Sequence, residues 1–299
     1  MKVSIIIPVY NQLKYTQKCL ESIFLHGSKY EFEVIVVDNA STDGTAEYLE
    51  KFEHKIVIIK NDKNLGFAKA CNQGAKIAKG EYLLFLNNDT VVTENWLNIL
   101  VTEMDMDHEV GIIGPKLLYP DNTIQHAGII FYEDKMPYHI YKGAQCDKIY
   151  TNKKREFQCL TGACLMVRRE VFERVGGFDE GYINGLEDID LCLKIKNRNL
   201  SMLYCPESVI YHFESKTAGR SNYAKENVEL FFSKWKDKIF VDYKDFMLED
   251  KIDSLEELLG PHKKGFSFKR ASYLFKNFFV VARRDGFGVA VKIAVRKLR

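Results

Sequence analysis

The sequence predicts an α/β protein built on a central, mostly parallel sheet flanked by helices. Three observations carry that expectation. The first hundred residues alternate short β-rich apolar runs with helical patterns, the signature of successive βαβ units. The runs IIIPV, VIVV and IVII are apolar throughout instead of alternating, as strands covered by helices on both faces must be. Each run also passes straight into polar residues, so in a parallel sheet these residues would collect along one edge.

Taken in order, Val3 to Val9 reads as a strand, Leu13 to Leu25 as a helix, Phe32 to Val37 as a strand and Thr45 to Phe52 as a helix. Lys55 to Lys60, Phe67 to Ala78 and Glu81 to Leu86 continue the series as strand, helix and strand. Asn11 precedes the first helix, and Ser41, Thr42 and Asp43 precede the second, all with short oxygens suited to capping free amides. The second half is less regular. Gly111 to Leu118, Ile124 to Phe131 and Cys159 to Val167 are apolar runs, and helical signals follow at Glu170 to Val175 and Asp188 to Asn197. Such a mixed region completes the sheet and shapes a substrate pocket. Asn222 to Lys238 reads as a further helix.

At 299 residues with 46% hydrophobic side chains, the chain can bury a sizeable core. No apolar run reaches the ~18 residues of a spanning helix, and MKVSIIIPVYN lacks the apolar length and small-residue site of a signal peptide. A cytoplasmic location is therefore expected. The seven cysteines are odd in number and without a CxxC pair, so Cys159 and Cys164 are expected as reduced core thiols.

The net charge of +2 hides an asymmetry. From Lys263 onward eleven Lys or Arg face a single acid, giving +10 and leaving −8 over the preceding residues. In that tail Phe287, Val291, Ala294 and Leu298 fall on one helical stripe, beside Lys292, Arg296 and Arg299. The tail, 263–299, is expected to be a basic amphipathic helix that lies on an anionic membrane surface, packs on its own acidic domain or leads to a partner protein. No nucleic-acid partner is expected. The division expected is a domain over 1–240, with halves at 1–115 and 116–240, then a charged linker at 241–262 and the tail.

The strand ends carry the chemistry. Strand one ends in Pro8, Val9, Tyr10 and Asn11, strand two in Asp38 and Asn39, and the fourth in Asn87, Asn88 and Asp89, while the third leads to Asn64 and Gly66. Asn11 and Ser41 can be helix caps alone, and Asp38 can simply face a helix N-terminus. PVYNQ has no glycine, which excludes a GxGxxG dinucleotide loop, and no GxxxxGK[ST] loop occurs. A nucleotide here would be held by Asp38 at base or ribose and by a hard cation bridging Asp89 to phosphate oxygens.

The ordered blocks PVYN, VVDNASTDGT, NLGFAKACNQG, LLFLNNDT, TGACLMVRREVFERVGGFDEGY, LEDIDLCLKI and YHFES resemble a family 2 glycosyltransferase of the GT-A fold, over roughly Lys2 to Lys238. The resemblance implies transfer of a sugar from a nucleotide-diphosphate donor to a hydroxyl of a glycan or lipid-linked glycan, with inversion and with Mn²⁺ or Mg²⁺. It also implies roles. Pro8, Tyr10, Asn11 and Asp38 would surround base and ribose, completed by Gly66, Phe67 and Asn72. Asn87, Asn88 and Asp89 align with the family's DxD motif, with Asp89 as the metal ligand and Asn in place of the first Asp. His212 resembles a histidine that some members use as a further metal ligand, although a lone His is by default a structural hydrogen-bonder. LEDIDL would supply the base, Asp188, with Glu187 positioning it and Asp190 as second choice; three acids in a first helical turn also satisfy the helix dipole without any catalysis. Gly162, Ala163, Phe178, Asp179 and Glu180 would line the acceptor side. Two rivals remain: a sugar-phosphate nucleotidyltransferase, whose glycine- and arginine-rich loop PVYNQ lacks, and a non-catalytic glycan-binding module, which Asn87 keeps open.

Overall fold

A computed structural model describes residues 1–214 and 223–260. The N-terminal half runs β1 (Val3–Val9), α1 (Leu13–His26), β2 (Phe32–Asp38), α2 (Thr45–Glu50), β3 (Val57–Lys60), α3 (Phe67–Ile77) and β4 (Tyr82–Leu86). Next come β5 (Thr90–Val92), α4 (Trp96–Met106), β6 (Val110–Leu118), β7 (Ile124–His126), β8 (Ile129–Phe131) and β9 (Pro137–His139). The described chain then adds β10 (Arg155–Phe157), β11 (Cys164–Arg168), α5 (Arg169–Arg174), α6 (Glu187–Lys196), β12 (Ser201–His212), α7 (Ala224–Trp235), α8 (Tyr243–Asp250) and α9 (Leu255–Leu259).

The main sheet has the order β10-β12-β6-β11-β4-β1-β2-β3, with β5 added to β12 and β7 to β6. Strands β3, β2, β1 and β4 are parallel and in register, Val9 beside Asp38 and Asp38 beside Lys60, so the polar residues after them share one edge. Strand β11 runs against β4, pairing Cys164 with Leu86, and so brings Gly162 and Ala163 to that edge from the other direction. Strand β12 is parallel to β6 and antiparallel to β5, pairing His212 with Thr90. That single pairing carries the end of the second half back to the end of β4.

Alternation along β1 feeds two cores. Ile5, Ile7 and Val9 pack with Leu20, Ile23, Trp96 and Leu100 on the α1 and α4 side. Ile6 packs on the opposite side with Phe85, Phe172, Phe178, Leu191 and Trp235. Helices therefore cover both faces, which is why these strands read as continuously apolar. The run from Ile124 to Phe131 is two strands, not one: Gly128 at φ +122° breaks it, and a Cβ there would fall 2.2 Å from the Phe157 ring. All seven cysteines are free, and Cys159 and Cys164 are buried. No helix among the described residues is long and apolar enough to cross a membrane. The basic stripe expected at 263–299 lies outside the described residues.

The segment 241–262 was expected as a charged linker, and its described part is instead folded onto the domain. Tyr243, Ile252, Leu258 and Leu259 are buried in the larger core. The charges misled because two acids point inward. Asp242 accepts from the Phe131 N–H at 2.7 Å and from Gln158 at 2.6 Å. The Asp250 carboxylate is fully buried, bonded by Arg155 at 2.8 and 3.1 Å, by Lys153 at 2.5 Å and by the Tyr141 hydroxyl. Burial alone would raise the Asp250 pKa, but bonds from Arg155, Lys153 and Tyr141 hold it below the usual carboxylate value of 3.8.

Removing one member of a buried charge pair strands the other, so Asp250→Ala is expected to cost about 3–5 kcal/mol in denaturant unfolding at neutral pH. Because the folded pKa is depressed, this stabilisation is present above the unfolded value and lost as pH falls through the folded one. The gap between wild type and variant should narrow below about pH 4. A gap unchanged at pH 3 would contradict the assignment.

Candidate active site

The edge of the sheet opens into one cleft lined by Pro8, Val9 and Tyr10 after β1, by Asn39, Asn64, Gly66 and Phe67, and by Asn87, Asn88 and Asp89 after β4. The second half contributes Thr161, Gly162 and Ala163, then Asn184, Glu187 and Asp188, and on a third wall Gln125, His139, His212 and Glu214. Residues far apart in sequence meet here because β11 and α6 begin, and β12 ends, at the edge defined by β1 to β4.

The loops after β1 and β2 brace each other, and Asp43 also meets its own helix, accepting from the Thr45 N–H at 3.2 Å. Asn11 lies at φ 57°. Its N–H donates to Ser41 Oγ at 2.8 Å, and its side-chain oxygen accepts from the Thr42 N–H at 2.7 Å. The first amide of α1, at Leu13, is met by the Asp43 carboxylate at 3.0 Å. Asp38 is buried and accepts from the Ser41 N–H at 3.0 Å. Asn11 and Asp38 thus stand behind the cleft wall and shape it, while Tyr10, 38% exposed, projects from it.

At the end of β4, Asn88 turns its amide inward, donating to Thr16 Oγ1 at 2.9 Å, and so anchors α1. Asn87 is held by its backbone, with its N–H on Ala163 O at 2.9 Å and its carbonyl accepting from Thr90 Oγ1 at 2.7 Å. Asp89 is held by the Phe213 N–H, which donates to its carbonyl at 2.9 Å. Its Oδ1 lies 3.2 Å from His212 Nε2. That nitrogen is buried and makes no hydrogen bond to the protein. The other ring nitrogen, Nδ1, is 3.2 Å from Gln125 Oε1.

A buried imidazole nitrogen beside a carboxylate oxygen, with no hydrogen bond between them, is the donor set a divalent cation would take. Among the described residues no cluster of three or more His, Cys, Asp or Glu could hold a metal. Asp89 and His212 therefore fit a cation that takes its remaining ligands from substrate phosphates and water, the usual habit of Mg²⁺ and Mn²⁺ sites.

Across the cleft, α6 starts from Leu186 at φ 71°, after Asn184 at φ 52°. Asp188 Oδ2 accepts from the Gly162 N–H at 2.7 Å and Oδ1 from the Ile189 N–H at 2.9 Å. A Cβ on Gly162 would sit 3.0 Å from Asp188 Cβ, so the glycine permits this approach. Glu187 Oε2 accepts from the Gly185 N–H at 2.5 Å, closing the loop before the helix. Asp190 lies two residues on, roughly 200° round the helix, and faces the interior. It is fully buried, accepting from Trp235 Nε1 at 2.8 Å and Lys234 Nζ at 3.0 Å. Its place between α6 and α7 removes it as second choice for the base.

Four other expected residues lie away from the cleft. Phe178 is core, its ring 4.8 Å from Phe85 and 5.6 Å from Phe67. Asn72 mimics a backbone pair with Phe178, donating at 2.9 Å and accepting at 3.0 Å, and donates to Glu180 at 3.1 Å. Asp179 pairs with Lys234 and accepts from the Gly181 N–H at 2.7 Å. The GGFDEGY turn is thus a brace that ties α3 to α7 and backs the wall holding Phe67.

The sequence reading missed Gln125, His139, Asn184 and Glu214. Only Glu214, two residues after His212 in YHFES, sat in a block that had been singled out. Burial pushes its carboxyl up, but bonds from Tyr119 at 2.5 Å and Lys142 at 3.3 Å bring it below the ordinary value, so it stays ionised. His126, fully buried, is driven well below the usual histidine range by burial and by neighbouring His139 and His212. Its Nδ1 is 3.0 Å from His139 Nδ1, an arrangement that suits a neutral pair.

The chain has relatives in sequence and in fold among known proteins. The chain is 34% identical over 222 residues to O-antigen biosynthesis protein RfbC of Myxococcus xanthus, covering 72% of this chain and 17% of that one. It is 23% identical to the N-acetylglucosaminyl-diphospho-decaprenol L-rhamnosyltransferase of Mycobacterium tuberculosis, covering 72% of this chain and 77% of that one. Two of the curated relatives it matches are much longer, and the chain spans 28% and 17% of their lengths. Among solved structures, GalNAc-T7 with UDP, GalNAc and Mn²⁺ superposes with a TM-score of 0.61 at 18% identity, over 85% of this chain and 56% of that one, and shares the GT-A fold. A model described as the N-terminal domain of galactosyltransferase matches residues 145–216. The model for glycosyl transferase family 2 matches residues 4–176, from β1 through the strand that delivers Gly162 to the helix after it, and the chain belongs to that family.

Proposed function

We propose that the chain is an inverting, cation-assisted glycosyltransferase that moves a sugar from a nucleoside-diphosphate sugar to a hydroxyl of a glycan or lipid-linked glycan. The observation that carries this reading is the meeting in one cleft of Asp188 with Asp89 and His212, the last two 3.2 Å apart. Residues 1–115 serve as the donor half and 116–240 as the acceptor half, although His212 crosses from the second to complete the first. The chain's similarity to an O-antigen biosynthesis protein and to an N-acetylglucosaminyl-diphospho-decaprenol L-rhamnosyltransferase supports a glycan acceptor.

In this reading the nucleotide lies along the loops after β1 to β3, against Pro8, Tyr10, Asn39, Asn64 and Gly66, with Asn11 and Asp38 fixing those loops from behind. Asp89 and His212 would hold the cation, and the imidazole ligand suits Mn²⁺ better than Mg²⁺. When bound, it supplies Lewis-acid stabilisation of the charge developing on the diphosphate. Asp188 takes the proton of the acceptor hydroxyl as that oxygen attacks the anomeric carbon. The bond from that carbon to the diphosphate oxygen breaks, its electron pair leaves with the nucleoside diphosphate, and one displacement inverts the centre. The amides of Gly162 and Ile189 hold both oxygens of Asp188 while each keeps lone-pair capacity for the proton. Gly162 and Ala163 let the acceptor approach the backbone.

The test is a panel of UDP-, GDP- and dTDP-sugars incubated with the full chain and Mn²⁺ or Mg²⁺, following release of the nucleoside diphosphate. Slow hydrolysis of at least one donor, stopped by EDTA, is the expected result. No turnover of any donor together with tight binding to immobilised glycans would favour the non-catalytic module.

A further inference from the structure

We infer that Gln125 is a positioning residue that fixes the ring tautomer of His212 and thereby makes the cleft competent to hold a divalent cation. This rests on reading Asp89 and His212 as the cation ligands. Strand β7 pairs antiparallel to β6, with His126 opposite Leu117 and Ile124 opposite Leu118. Two adjacent residues on β6 thus face three on β7, and Gln125 is the extra one, a bulge. Bulges re-aim a side chain out of the regular alternation of a strand and recur beside active sites. Here the bulge sends Gln125 into the cleft, where it is 2% exposed and its Oε1 lies 3.2 Å from His212 Nδ1.

An amide oxygen only accepts, so Nδ1 must carry the proton. A neutral imidazole has one such proton, and Nε2 is left with a bare lone pair. That lone pair sits 3.2 Å from Asp89 Oδ1, acceptor beside acceptor, which explains why the buried Nε2 makes no hydrogen bond. The opposite tautomer would place Nε2–H between ring and carboxylate, closing the donor set with a hydrogen bond. Partners of this kind orient metal-ligating histidines and raise their basicity. Gln125 lines the cleft, and the role inferred for it runs through its contact with His212.

Two measurements on the full chain test this. In ¹⁵N-histidine-labelled protein without metal, long-range ¹H–¹⁵N correlations of His212, assigned against His212→Ala, should show the Nδ1–H tautomer, and Gln125→Met should shift it toward Nε2–H. In Mn²⁺ titrations followed by electron paramagnetic resonance with UDP present, Gln125→Met should weaken binding about 10- to 100-fold. Gln125→Glu, whose carboxylate also accepts from Nδ1–H, should stay within about threefold of wild type, given that acceptor capacity. An Nε2–H tautomer in the wild type overturns the inference, as does Mn²⁺ affinity unchanged in Gln125→Met. A wild type that takes up no Mn²⁺ would remove the cation reading and the metal half of this inference together, while the tautomer still decides whether Gln125 sets the ring.

Discussion

Asp188→Asn is expected to lower kcat by about 10²- to 10⁴-fold, the usual contribution of a positioned base. The substitution keeps the shape of the side chain, but its single amide oxygen can accept from only one of the Gly162 and Ile189 N–H groups that bond the native carboxylate at 2.7 and 2.9 Å. The capacity to take the acceptor's proton and one backbone hydrogen bond are lost together. Donor affinity should therefore stay within a few-fold, and KM for the donor should barely move. The comparison is steady-state kinetics on the donor that the panel identifies, with nucleotide binding measured separately by calorimetry. Full activity in the variant would sink the assignment of the base. Asp190→Asn behaves differently: it disturbs the interface with Trp235 and Lys234, and its signature is lost stability instead of a clean fall in kcat.

Asp89→Asn carries the second large effect. Loss of the carboxylate beside His212 removes one of the two protein groups expected at the cation, and the charge developing on the diphosphate loses its counter-charge. Removing a single group that stabilises developing charge costs on the order of 10²–10³ in kcat. The fall should come with a loss of the Mn²⁺ response, so that wild type and variant differ little in EDTA. A variant that keeps both full rate and full Mn²⁺ dependence would place the cation elsewhere.

Strands β1, β2 and β4 were legible because strands covered on both faces leave an unbroken apolar record, while the edge strand β3, with Val57 43% exposed, was legible from its apolar run alone. Their polar followers stood out against it. Asp89 was legible for the same reason, as the carboxylate at the end of LLFLNNDT. His212 was named beside it only through the family resemblance, since the antiparallel pairing of β5 with β12 that sets His212 beside Thr90 has no local signal. The long strand β12 was missed because its register shifts between Cys205 and Val209 and exposed residues interrupt it. Asn11 and Ser41 look like caps in one dimension, yet in three they tie two loops together, a long-range contact with no local signal. The linker reading failed at Asp242 and Asp250, where acids taken as solvated face buried partners. Gln125 had no motif at all, because a bulge is a property of a strand pair and not of one strand.

Asn87 remains the point at which this chain departs from the DxD pattern. It lines the cleft and is placed by two backbone hydrogen bonds, so its neutral amide is presented where the pattern has a carboxylate. The negative charge at this strand end then rests on Asp89 alone. In the proposed reading His212 would add the second protein ligand from β12, with the substrate's own phosphates completing the site.

The central claim is that cation and base act from different walls of one cleft on a single displacement. The anomeric configuration of the sugar released from an α-linked donor, read by ¹H NMR before mutarotation, tests it most directly. The β-anomer, formed with Mn²⁺ and lost in EDTA and in Asp188→Asn, is the predicted result. Release of the α-anomer would contradict a single displacement with Asp188 as base.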